Sequence, residues 1–165
     1  SNQHIPVLVS NLTGVVAISA DHDNGFALTG DSTVWGWGEG ADYDVADGSG
    51  SSSDRYLPVR LAISNVAAIA SGCGMAIKFD ATLWSWGRNG SGELGTGSSA
   101  QYVYTPVQVS NMSAVVRSAG SSHALAVRND GTVWAWGDNS LKQLGDGTTS
   151  NRFLPVIVSN VVARR

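Results

Sequence analysis

Apolar and polar residues alternate over short stretches of this chain, and no segment of about 10–12 residues carries the apolar stripe of a helix. Alternation is clearest at 25–29, 74–79 and 123–128. It continues through three Trp-x-Trp segments at 33–38, 82–87 and 132–137. Small apolar runs at 15–20, 66–71 and 114–120 precede these pairs, and Pro-Val segments at 58–63, 106–110 and 155–159 follow them. Enrichment in β-branched residues, with Gly, Asn and Asp at the flanks, makes each of these a strand. The expected fold is all-β, in units of four strands.

The units repeat. The second tryptophans fall at 37, 86 and 136, a period of about 50 residues that marks propellers and solenoids. A Pro-Val marker at Pro6, Pro58, Pro106 and Pro155 keeps the same beat, and each copy leads to a Ser-Asn pair. The expected organisation is a tail strand of a preceding repeat at 1–14 and repeats at 15–65, 66–111 and 112–160. The start of a further repeat follows at 161–165. Within the repeats Asp31, Asp80 and Asp130 are equivalent, as are Val45, Leu94 and Leu144. Asn129-Asp130-Gly131 has the chemistry of a tight hairpin turn.

In a strand, residues i and i+2 share a face, so Trp35 and Trp37 point one way and Val34 and Gly36 the other. The residue between the indoles is always small: Gly36, Ser85 or Ala135. Repeated units bury their apolar faces against neighbours. The expected structural core is therefore Trp35, Trp37, Trp84, Trp86, Trp134 and Trp136. Trp37, Trp86 and Trp136 should lie in equivalent buried environments, one per unit.

Charge and chemistry narrow the function. The net charge is −3 and the ten Lys and Arg are scattered, with only Arg164 and Arg165 adjacent. That pattern opposes a nucleic-acid surface. The single cysteine, Cys73, excludes a disulfide within the chain and reads as a structural thiol. No apolar run reaches the roughly 20 residues of a membrane-spanning helix. Asp42, Asp44 and Asp47 resemble a calcium loop, but the spacing is off and Ser53 stands where a bidentate glutamate is needed. His4, His22 and His123 do not recur in register. No nucleophile, metal or phosphate-loop motif is present. The expectation is a non-enzyme with no catalytic residue, cofactor or metal. Asn11, Asn89 and Asn111 begin N-glycosylation sequons, relevant only in a secreted eukaryotic chain.

The third unit carries Ala119-Gly-Ser-Ser-His-Ala-Leu-Ala-Val, then Trp134-Ala-Trp-Gly-Asp-Asn139, Gln143-Leu-Gly145 and Leu154-Pro-Val156. These motifs, in this order, resemble the repeat of the regulator of chromosome condensation (RCC1) family, and the resemblance covers essentially the whole chain. It departs from the pattern at Cys73-Gly74 and at Asp44-Val-Ala46, which replaces Gln-Leu-Gly. The resemblance implies a β-propeller of four-stranded antiparallel blades, usually about seven, which needs about 350 residues. The fold expected here is a partial propeller: three such blades plus one extra strand at the N-terminus. Either more blades complete it, or copies complete one another.

The function this implies is a non-enzymatic protein-interaction scaffold that presents variable loops. The most divergent loop runs from 39 to 56, and its candidate contact residues are Asp42, Tyr43, Asp44, Arg55 and Tyr56. Two alternatives stand beside it. One is a building block that assembles head to tail into a ring or filament; the other is a propeller of the GTPase-exchange or enzyme-inhibitor type. The partner is a protein or further copies of the repeat, with no nucleic acid and no membrane insertion. Few lysines and the Pro-Val-x-Val-Ser-Asn style resemble bacterial, often exported, members of the family.

Overall fold

The computed structural model describes residues 4–20, 23–40, 45–49, 51, 53–70 and 74–162, the last four without side chains. Twelve strands form three four-stranded antiparallel sheets (blades 1, 2 and 3). Blade 1 holds β1 (Val15–Ala20), β2 (Asn24–Thr29), β3 (Val34–Gly38) and β4 (Arg55–Arg60). Blade 2 holds β5 (Val66–Ala70), β6 (Gly74–Lys78), β7 (Leu83–Arg88) and β8 (Tyr102–Gln108). Blade 3 holds β9 (Val115–Gly120), β10 (His123–Arg128), β11 (Thr132–Gly137) and β12 (Arg152–Val162). Strand order follows the chain in every blade, so each is a simple meander.

The fourth strands differ from expectation. Proline does not open them; Pro58, Pro106 and Pro155 lie inside β4, β8 and β12. The register explains this. Gly36 pairs Val59 and Gly38 pairs Arg55, so β4 carries extra residues between those pairs, and β8 and β12 repeat the irregularity. Each proline thus sits in a bulge on an edge strand, where its missing N–H removes no ladder bond. The N-terminal segment around Pro6 carries no β-ladder among the described residues.

Two hydrophobic clusters lie between blades. Trp86 of blade 2 enters a cluster with Phe26, Leu28, Val34, Leu61 and Ile63 of blade 1. Its ring meets Phe26 edge-on, at 5.9 Å between centroids. Trp136 of blade 3 repeats the insertion among Met75, Ile77, Leu83, Val109 and Met112 of blade 2. Both indoles are fully buried, whereas Trp37 is only half-buried. The three environments are therefore not equivalent: among the described residues, no further sheet packs on the Trp37 side of blade 1.

Each second tryptophan also needs a small residue on the adjacent strand. Gly25 pairs Trp37, Gly74 pairs Trp86 and Ala124 pairs Trp136. A Cβ on Gly74 would come within 2.2 Å of the Trp86 indole nitrogen. The indole lies against the neighbouring strand's backbone, and in blades 2 and 3 it packs on the preceding blade.

Candidate functional site

The strand-connecting turns divide between two ends of the blades. At one end, the turn between second and third strands holds the same relay in every blade. Asp31, Asp80 and Asp130 each accept hydrogen bonds through Oδ1 from the backbone N–H and hydroxyl of Thr33, Thr82 and Thr132. Each threonine hydroxyl in turn accepts from the first indole of its Trp-x-Trp, at 2.9–3.1 Å for Trp35, Trp84 and Trp134. Those half-buried indoles are covered by cations where one is available. Lys78 Nζ lies 3.7 Å from the Trp84 ring centre, and the Arg128 guanidinium carbon 4.5 Å from that of Trp134.

At the opposite end run the long loops between third and fourth strands. Asn89 and Asn139, at most 1% exposed, pin them. Each accepts from the backbone N–H of the buried leucine, Leu94 or Leu144. Each donates its amide back across the loop, Asn89 to the Ser98 and Ala100 carbonyls and Asn139 to those of Thr148 and Ser150. Blade 1 has Gly40 at this position. The Asn89 nitrogen is committed to the loop, so its sequon is closed in the folded chain; Asn11 and Asn111 are exposed.

A second frame is common to all three loops. Asp47, Thr96 and Asp146 accept from the backbone N–H two residues on, and Ser49, Ser98 and Thr148 do the same one step further. Arg55 and Arg152 close the first and third loops onto Asp47 and Asp146, each at 2.6 Å. Gly137, at φ 96°, shows why glycine ends the Trp-x-Trp strand. A Cβ there would stand 2.8 Å from His123 Cα and 2.9 Å from the Ser122 carbonyl.

The sequence-predicted contact residues therefore part company. Arg55 is a loop staple whose guanidinium also reaches the Ser53 carbonyl and the Ser49 hydroxyl. Tyr56 is 89% exposed on the β4 bulge. Asp42, Tyr43 and Asp44 lie outside the described residues, as do Cys73 and His22. Asp47, the one described member of the calcium-like trio, is committed to Arg55 and Ser49. Among the described residues no three His, Cys, Asp or Glu side chains converge on a metal-sized site. The relay and the asparagine pins were missed in sequence, although the Asp-x-Thr-x-Trp spacing recurs in all three units.

The carboxylates of these turns carry a pH dependence. Asp130 and Asp80 are held below the ordinary value of 3.8, first by the threonine hydroxyl and then by the threonine N–H. Asp146 is held lower still by Thr148, then Arg152 and Asn139, against a desolvation that raises it. Folding lowers these values, so the ionised acceptors stabilise the fold above the ordinary value. That contribution is lost as pH falls through and below it. The thermal midpoint should be flat from neutral pH to about 5 and fall below 3.8. Asp146→Asn should make the acid limb shallower. A midpoint that rises on acidification would contradict the assignment.

Two stretches of the chain match the Regulator of chromosome condensation (RCC1) repeat, at residues 80–127 and 118–143. Residues 80–143 thus carry RCC1-like repeat sequence, and the findings support an RCC1-like β-propeller. The first match begins in the turn before β7 and ends within β10, so a unit of RCC1 sequence spans two blades and ties them covalently. The fold agrees. Human WBSCR16 superposes with a TM-score of 0.80 at 24% identity, over 94% of this chain and 40% of that one. Prp20p from Saccharomyces cerevisiae gives 0.80 at 23% identity, over 91% and 39%. Yeast RCC1 (Prp20) in its complex with Kap60 gives 0.79 at 24%, over 91% and 38%. The chain thus spans about two fifths of these RCC1-like propellers and forms a partial one. Comparison with curated protein sequences gave no match.

Proposed function

We propose that this chain is a non-catalytic segment of an RCC1-like propeller that presents its outer loops to a protein partner. One observation carries the proposal: the loops share one hydrogen-bonded frame and carry unlike side chains on it. Where blade 2 has Ser91 and Gly92, blade 3 has Leu141, 84% exposed, and Lys142. Blade 1 lacks the asparagine pin and carries the acidic and aromatic set Asp42, Tyr43 and Asp44. A rigid frame with variable tips is a presenting surface. The polar side chains of the frame are occupied in holding backbone. Relatives of the same fold support the class of partner: Prp20p binds Gsp1p and histones, and yeast RCC1 binds Kap60.

The test is site-specific photocrosslinking in the organism of origin, with a benzophenone amino acid at position 43, 56 or 141. A discrete adduct with a different protein is expected from at least one loop position. Adducts only with further copies of this chain, or none at all three positions, would overturn the proposal.

A further inference from the structure

All three blades carry the Asp-Thr-Trp relay, and in two of them a basic side chain of the chain itself covers the relay's indole. We infer that the uncovered face of Trp35, in blade 1, seats an arginine side chain of a partner protein. The site lies at the opposite end of the blades from the outer loops, so the inference goes beyond the loop-mediated binding proposed above.

The cover comes from one strand position. Lys78 ends β6 and Arg128 ends β10, and they lie over Trp84 and Trp134. Thr29 ends β2 at the equivalent place, its N–H donating to the Thr33 carbonyl as that of Lys78 does to the Thr82 carbonyl. Threonine is too short to reach over the ring. Its hydroxyl instead stays 2.7 Å from both Asp31 Oδ1 and the Thr33 hydroxyl. Beside it an open cavity of about 320 Å³ is lined by Trp35, Thr29, Asp31, Asn11 and Leu12. Among the described residues no cation lies over Trp35. Arg60, opposite Trp35 in the β3–β4 ladder, is exposed and lines a different groove with Asp47 and Leu61.

The cavity offers what a guanidinium requires. That group stacks on an indole face and donates in its own plane, so it suits a ring with acceptors at its rim. Blade 3 holds this arrangement within the chain: Arg128 lies 4.5 Å over Trp134 and donates to the Asn111 carbonyl. The corner at Asn11 has the same backbone, with φ of 62° and 56° at Asn11 and Asn111, and 65° and 57° at Gly14 and Ala114. The Gly14 carbonyl accepts from the Gly30 N–H at 2.9 Å, as the Ala114 carbonyl accepts from that of Asn129 at 2.8 Å. The Asn11 carbonyl therefore corresponds to the acceptor that Arg128 uses. Asp31 adds a charge. Its Oδ1 is held by Thr29 and Thr33, while its Oδ2 accepts from none of the described residues. Leu12 supplies an apolar wall for the stem of the side chain. A stacked arginine fork can meet two acceptors at once, whereas a lysine is a point charge.

The test is an NMR titration of the isotope-labelled full chain with the peptide acetyl-Gly-Arg-Gly-amide, followed at the indole N–H resonances. The Trp35 resonance should move saturably, while those of Trp84 and Trp134 stay in place. The same peptide with citrulline, which keeps the shape and loses the charge, should bind about tenfold more weakly. Thr29→Lys, which copies blade 2, should abolish the Trp35 response. Thr29 is buried, so Arg128→Thr supplies the reverse experiment at a more open position: it copies blade 1 and should make Trp134 respond. A Trp35 resonance that does not move, or a citrulline peptide that binds equally well, would overturn the inference. So would a Trp134 that stays silent in Arg128→Thr. A Trp35 response that appears only in Arg60→Gln would also sink it, because Arg60 would then fill the cavity from within the chain.

Discussion

Trp136→Ala should lower the unfolding free energy by about 3–5 kcal/mol, the range for removing a fully buried aromatic from a core that cannot collapse around it. Trp86→Ala should cost a similar amount. Trp37→Ala, the same change at the equivalent position, should cost at most about 2 kcal/mol, because that indole still meets solvent on one side. The ranking follows from packing against the preceding blade. Trp136 fills a seam lined by Met75, Leu83 and Met112 and donates to Glu93, and Trp86 meets Phe26 edge-on. Trp37 faces an open groove. Urea unfolding of the three variants measures the ranking directly. Equal costs at 37 and 136 would mean that the indoles act within their own sheets and not between them.

Asn139→Ala should cost about 2–4 kcal/mol, since several buried hydrogen bonds are lost at once and their partners are left without water. The Asn139 side chain accepts from Leu144 N–H and donates to the Thr148 and Ser150 carbonyls and to Asp146 Oδ1. Its removal frees the loop and loosens Leu144, which is 1% exposed. Ser140→Ala, next door but exposed, should change stability by less than about 0.5 kcal/mol. Hydrogen exchange at the Leu144 amide separates a local from a global effect. In Asn139→Ala that amide should lose protection well before the β10–β11 amides. An unchanged exchange rate would remove the pinning role. Asn89→Ala should behave alike in blade 2.

Much of the strand framework was legible because a two-residue period and a 50-residue repeat are local properties of the chain. Alternation at 123–128 and Trp-x-Trp at 132–137 required only that neighbouring strands pair. The bulges at Pro58, Pro106 and Pro155 were not legible, because a bulge depends on the partner strand's register. Arg55 reads in the sequence as a candidate contact residue of the 39–56 loop. Its role as a staple depended on Asp47 folding back to within 2.6 Å, a loop closure that composition does not reveal. The Asp-Thr-Trp relay left a visible trace in its spacing, but each spacing reads equally well as turn chemistry until the indole is seen to donate to the threonine.

By itself, the sequence determined that the chain is all-β, repeats with an RCC1-like pattern and places two indoles per unit on one face, because strand geometry alone dictates which side chains share a face. Only the tertiary structure decided which of those indoles are buried. The sequence context of Trp37 differs little from that of Trp86 or Trp136, yet its exposure differs, because burial between sheets belongs to pairs of blades and not to any one repeat.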